Sequence, residues 1–307
     1  MTISLALEQL LNGIQLGVML FLMSAGLTLI FGVMGLINLA HGSLYMVGAF
    51  ACAAVAALTG SFWLGLVASL ACAAAAGAIV ELLVIRRLYD RDHLDQVLAT
   101  FALILIFSEG TRWLFGSFPL YLDIPPLLQG AVALPGDATY PVYRLAIIAV
   151  GALVALGLYL LIGKTRLGMR IRAGESDREM IGALGVDIRT LYTLVFALGS
   201  ALAGLAGAIV GPLQSVQVGM GEPVLILAFV VIVIGGIGSI KGALIGALLV
   251  GITDTLGRLL LPQLLTLFMD PSQAGMIGGA AASMLIYVVM AVILSVKPRG
   301  LFPPAHA

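Results

Sequence analysis

The chain alternates between long apolar runs and short polar interruptions. Runs of about 18 or more apolar residues suffice to cross a hydrocarbon core roughly 30 Å thick as helices. They recur over about 10–33, 36–59, 62–86, 95–116, 143–163, 190–212, 224–239, 242–261 and 275–296. The pattern predicts an all-α polytopic membrane protein, one transmembrane domain over 1–307 with about 8–9 membrane helices. The least regular part is 224–261, where "GGIGSIKGA" (235–243) separates two short stretches. Spans broken by glycine form either a tight hairpin or discontinuous helices, and the latter are tolerated only where buried in protein or lining a cavity. No ten-residue alternation of the kind that builds an outer-membrane barrel is present.

Composition agrees with that class: 61% of residues are hydrophobic and 10% charged, against roughly 25% charged in ordinary soluble domains. Net charge is zero, so placement carries the information. No Lys or Arg precedes Arg86. Cations then cluster at Arg86, Arg87 and Arg91, at Lys164, Arg166, Arg170, Arg172, Arg178 and Arg189, and at Lys297 and Arg299. Counted along the nine runs, all three clusters fall on one side, which the bias of Lys and Arg makes cytoplasmic. The C-terminus is then cytoplasmic and the N-terminus outside, and Glu8 without a basic flank argues against a cleavable signal peptide. The proline-rich stretch 117–142 lies outside, as a structured cap that cannot be one regular helix. Cys52 and Cys72, in Ala-rich apolar runs, read as small buried packing residues.

The longest cationic interruption has its own grammar. In "KTRLGMRIRAGESDREMIGALGVDIRTLY" (164–192), Ser176 and Glu179 have capping-box spacing. Asp177 and Glu179 place negative charge in the first turn. Gly185 can end the helix in a left-handed cap, and Asp187 can cap the next span. A helix of about 177–184 results, too short to stand alone in water. It docks either on lipid headgroups or in a groove on a soluble partner.

Chemistry-bearing residues are sparse. "GGIGSIKG" lacks the G-x-x-x-x-G-K-[ST] pattern and its strand–helix context, so the chain is not predicted to hydrolyse ATP. Glu109 and Arg112, and Asp254 and Arg258, stand at helical spacings that let each pair neutralise itself. Glu81 is positioned to pair near Arg86, and Glu222 to cap the broken pair. Gly13/Gly17, Gly207/Gly211 and Gly242/Gly246 read as close-packing faces. No catalytic triad, metal-binding cluster or nucleic-acid-binding pattern is present. In "GLINLAHGSLYM" (35–46), Asn38 and His41 are isolated polar groups in an apolar stretch. Either they satisfy loosened backbone at a glycine-flanked junction, or they line a gate or solute path.

Four blocks resemble one family: "GLTLIFGVMGLINLAHGSLYMVGAF" (26–50), "RAGESDREMIGALGVDIRTLYTLVFALGSALAGLAGAI" (172–209), "IGGIGSIKGALIGALLVGI" (234–252) and "KPRGLF" (297–302). In this order and nearly throughout, they look like the LivH-type permeases of bacterial branched-chain amino acid ABC importers. The resemblance implies a multi-pass inner-membrane subunit that binds no cofactor itself and is not an enzyme. It implies a LivM-like second permease, two LivG/LivF-like cytoplasmic ATPases carrying ATP-Mg, a periplasmic solute-binding protein and the lipid bilayer as partners. It makes 164–189 the ATPase-coupling loop, with Glu175, Ser176, Asp177, Arg178, Glu179, Met180, Leu184 and Gly185 as contact residues. Asn38, His41, Gly235, Gly236 and Gly238 become candidates for the translocation path or gate. The expected function is inward transport of branched-chain or related amino acids by alternating access. The alternatives are an ion-coupled secondary transporter and a passive channel for a small polar solute such as an amide or urea.

Overall fold

Among the described residues nine helices are apolar, and they follow the hydrophobic runs closely. The computed structural model describes residues 3–135 and 139–303. Its elements are α1 (Ile3–Met34), α2 (His41–Thr59), α3 (Phe62–Leu83), α4 (His93–Phe115), β1 (Ala131–Ala133), β2 (Thr139–Pro141), α5 (Val142–Lys164), α6 (Arg166–Ser176), α7 (Arg178–Ala183), α8 (Ile188–Val210), α9 (Gly221–Gly235), α10 (Ile240–Leu265) and α11 (Pro271–Val296). Among the described residues, eight helices are long and apolar enough to cross a membrane, and α9 is a shorter apolar one.

Helices that are greasy all round reveal little about which face packs, so small residues decide it. The central helix is α1, which packs against α5, α8, α9 and α10. In the most apolar window of α1, 78% of residues are buried, against 17% in α4, α5 and α11, which form the periphery. α2, α3 and α8 form a second packed group beside it. Contacts between backbones are close where glycines face each other: a Cβ at Gly48 would lie 2.2 Å from the Gly204 Cα.

Outside the bundle, the loop after α4 forms a small cap. β1 and β2 pair antiparallel, Ala131 opposite Pro141, and Leu120 bridges to Val216 in the α8–α9 connection. The expectation for Cys72 needs correction. Cys52 is buried, but Cys72 is exposed on the surface of the bundle, because it falls on the outward face of α3, while Ser69, Ala73 and Gly77 of the same helix face inward.

Candidate functional site

The first break in the helical pattern is a re-entrant junction. α1 ends at Met34, Gly35 turns the chain with φ 64°, and α2 starts only at His41, five residues later than the apolar run suggested. His41 is fully buried and its Nε2 lies 3.3 Å from the Met23 carbonyl. Met23 is 11 residues before the end of α1, about 16 Å back along the helix. Residues 35–40 therefore climb back alongside α1, and α2 begins at the depth of its middle. Within the climb, the Asn38 Oδ1 accepts from the Ala40 amide at 3.0 Å, a local turn that supplies part of the missing backbone bonding. Asn38 Nδ2 and His41 Nδ1 are buried without a partner among the described residues.

A second helix start meets the first. The connection after α8 folds inward, with the Gly219 amide 3.3 Å from the Met46 sulfur, and α9 begins at Gly221 against Gly42. A Cβ at Gly221 would sit 1.9 Å from the Gly42 carbonyl oxygen, so only glycine permits this approach. Fifteen residues of α9 span about 22 Å, short of a full crossing. α2 and α9 thus both begin inside the bundle, with their backbones in contact.

The α9–α10 connection lies elsewhere. Gly236 and Gly238 have φ 107° and 86°, and Ser239 caps α10 through the Gly242 amide at 3.0 Å. The chain's last described segment closes on this turn: the Leu301 and Phe302 amides donate to the Ile234 and Gly235 carbonyls, both at 2.9 Å. A Cβ on Gly32 would meet the Gly238 Cα at 3.2 Å, while Gly26 faces His41 Nε2. Six residues of α1, about 9 Å, separate the two groups of gate candidates, so the structure does not bring them into one cluster.

Between α5 and α8 the cationic stretch is more helical than expected. α6 occupies residues that read as loop, capped by Thr165, whose Oγ1 accepts from the Gly168 amide at 3.1 Å. It turns back on α5 because Gly168 lets it approach Leu161 and Ile162. Its presence corrects the cap of the next helix. Ser176 is the last residue of α6, and Asp177 Oδ1 accepts from the Met180 amide at 2.9 Å. The cap of α7 is therefore Asp177; the predicted Ser176–Glu179 box rests on a side chain, Glu179, outside the described residues, as does that of Arg178. At the other end the Gly185 and Val186 amides donate to the Gly182 and Ile181 carbonyls, with Gly185 at φ 85°. Asp187 then caps α8 through the Arg189 and Thr190 amides. Hydrogen bonds from the Thr190 hydroxyl and amide hold the Asp187 carboxyl below the usual carboxylate range. Met180 and Leu184 are 63% and 78% exposed, while Ile181 is buried. Glu175, Ser176 and Asp177 also line a cleft of about 410 Å³ with Gly32, Met34 and Gly35, so the loop reaches the end of α1.

A hub that one-dimensional inspection misses ties α8 to α3. The buried Glu81 carboxylate accepts from Arg86 at 3.1 and 3.2 Å, from the Tyr89 hydroxyl at 2.8 Å and from the Thr193 hydroxyl at 2.7 Å. The Arg86 pairing was legible from spacing; Thr193, 112 residues away, was not. Burial and the Glu81 carboxylate together push the Tyr89 hydroxyl well above the usual phenol range. The pairs Glu109–Arg112 and Asp254–Arg258 form within single helices.

Re-entrant helix starts, a bundle of apolar helices and a capped amphiphilic loop define a polytopic transport permease. Its relatives narrow this class. A family model described as "Branched-chain amino acid transport system / permease component" matches residues 9–295, and the chain belongs to that family. It is 31% identical over 267 residues to the high-affinity branched-chain amino acid transport system permease protein BraD of Pseudomonas aeruginosa, covering 82% of this chain and 86% of the relative. It is 31% identical to the corresponding LivH of Escherichia coli, covering 81% and 85%. The ribose import permease protein RbsC of Escherichia coli is 26% identical over 75% of this chain and 71% of the relative. No solved structure matches. The chain is a transport component and not an enzyme.

Proposed function

We propose that this chain forms one membrane-spanning half of an ATP-driven importer for branched-chain amino acids, with ATP-Mg bound and hydrolysed by separate cytoplasmic subunits. A related second permease completes the path, and an external binding protein delivers the solute. The substrate follows the names of the relatives at 31% identity; the ribose permease is a more distant match. The observation that carries the coupling role is α7. Its six residues, capped at each end, present Met180 outward, and Leu184 directly after them is exposed one turn further on, away from the apolar bundle. A solute channel or an ion-driven carrier gives such a helix no task, whereas an ATPase groove does. Movement of α7 passes through Gly185 and the Asp187 cap into α8. From there it reaches the α1–α2 junction, since Gly199 of α8 packs on Gly26 beside His41. Asn38 and His41 are the gate in this scheme, and Gly235, Gly236 and Gly238 are the pivot beneath it.

The test is Met180→Asp combined with Leu184→Asp in the assembled transporter, reconstituted with its ATPases and binding protein. Charging both contacts is expected to lower ATP-driven leucine uptake at least about tenfold, as for loss of interface anchors, and to release the ATPases on affinity purification. Membrane insertion and yield stay unchanged. Normal uptake in this variant would remove α7 from the coupling path. Leucine uptake that persists in wild type without ATP hydrolysis would remove the ABC assignment.

A further inference from the structure

Away from the junction, α5 and α10 diverge over α1 and leave a cleft of about 470 Å³. Its floor is α1, from Phe21 through Thr28 to Gly32 and Val33, a length of about 18 Å along the helix. The deep part is apolar, with Phe21, Leu29, Leu158 and Leu244. The mouth is not. There Arg172 of α6 and Lys241 of α10 lie beside Glu175, leaving a net positive rim. Arg172 is held over the mouth by a hydrogen bond to the Ile162 carbonyl, and the Lys241 ammonium stands 5.0 Å from the Phe302 ring centroid.

Two further observations call for an anion with an apolar tail. Lys241 occupies the first turn of α10, the end where the helix dipole disfavours a cation, and no acidic residue accompanies it there. That turn's positive field is therefore uncompensated by α10's own residues. Thr28, only 1% exposed, lines the cleft with an Oγ1 that has no partner among the described residues. It lies one turn, about 6 Å, inward of Gly32 and the charged mouth. A buried hydroxyl without a partner is costly, and a donor at this depth fits an ester carbonyl below a phosphate. The volume also limits the occupant: one turn of helix with side chains is about 10–12 Å across and 5.4 Å high, so the cleft holds no more than roughly one turn.

We propose that this cleft binds one anionic phospholipid. Its phosphate sits between Arg172 and Lys241, an ester carbonyl accepts from Thr28 Oγ1, and an acyl chain lies along Leu29 and Phe21. Basic pockets between membrane helices hold anionic headgroups in this way. The orientation proposed for the chain makes the lipid one of the inner leaflet, but binding does not depend on the solute or on the coupling role. Arg172 of α6 and Lys241 of α10 both line the cleft, so an occupied cleft links the coupling loop to the α9–α10 hairpin.

Native mass spectrometry of the delipidated full-length chain tests this, by titration with phosphatidylglycerol and with phosphatidylcholine of the same acyl chains. One phosphatidylglycerol per chain is expected to persist under activation that strips phosphatidylcholine. Arg172→Ala with Lys241→Ala should weaken it roughly fivefold for each cation removed. Thr28→Val, nearly isosteric and expected to melt like wild type, should weaken it about two- to tenfold. Equal binding of the two lipids, or wild-type binding by a folded Thr28→Val chain, overturns the proposal. So does an assembled transporter in which a cysteine at Leu244 crosslinks to the second permease while phosphatidylglycerol is excluded, which makes the cleft a subunit seam.

Discussion

His41 shows how one residue can carry a depth measurement. A histidine at the first position of α2, with its Nε2 at the Met23 carbonyl, fixes where α2 starts relative to α1. The sequence pattern marked the residue as odd but left two roles open, because period and composition do not reveal that six residues run back into the bundle. If it is the gate, His41→Ala in the assembled transporter should cut uptake at least about tenfold, the scale of one buried hydrogen-bonding group acting differently in two states. The complex should still assemble and melt within a few degrees of wild type. A parallel loss of melting temperature and uptake would reduce His41 to a structural pin. Unchanged uptake with a stable complex would remove the residue from the path. Spacing gives the cap of α7 to Ser176, with Asp177 only a first-turn charge; adjacent residues can both cap, and only recognition of α6 moves the role to Asp177.

At the scale of elements, the long apolar helices were legible because length and hydropathy alone define a membrane span. α6 was not, since three arginines and two glycines in eleven residues resemble a cationic loop. Its readable signal was Thr165 followed by Leu167 and Ile171 at i,i+4, of which Ile171 is buried. The joint between α3 and α8 was equally hidden, because the Thr193 contribution to the Glu81 hub comes from distant sequence. Removing the carboxylate takes the acceptor from the Tyr89 hydroxyl and the ion-pair partner from Arg86, whose side chain is 31% exposed. Arg86 keeps the Thr193 hydroxyl as an acceptor at 2.8 Å, and Thr193 can still donate to the Arg189 carbonyl at 3.0 Å. Glu81→Ala should therefore destabilise the bundle by about 3 kcal/mol, at the low end for breaking a buried ion pair because Arg86 still reaches water. Denaturant titration in detergent measures this, and a change below about 0.5 kcal/mol would show that α3 and α8 are joined by their small residues alone. Thr193→Val, which deletes the donor to Glu81 and an acceptor of Arg86 and leaves the ion pair, should cost about 1 kcal/mol.

Across the whole molecule, charge and topology agree on one arrangement. Of fifteen Lys and Arg, only Arg112, Arg144 and Arg258 fall on the side of the β1–β2 cap. Each of these has a partner within the chain, Glu109, Asn12 and Asp254 respectively. The other twelve lie at the opposite ends of the helices, around α6, α7 and the C-terminal segment. Since Lys and Arg in short loops are retained on the cytoplasmic side, we propose that the cap faces outward and α7 inward, as the coupling role proposed for α7 requires. A cysteine-free background is accessible, because Cys52 and Cys72 form no disulfide. Single cysteines at Phe118, 86% exposed beside the cap, and at Leu184, 78% exposed after α7, then report the two faces. In intact bacterial spheroplasts a membrane-impermeant maleimide should label the Phe118 position at once and the Leu184 position only after permeabilisation. The reverse pattern would invert the topology and place α7 outside, beyond reach of any cytoplasmic ATPase. Labelling of both positions in intact cells would place both ends of α5, the span between them, on one face, which no set of crossing helices in this order allows.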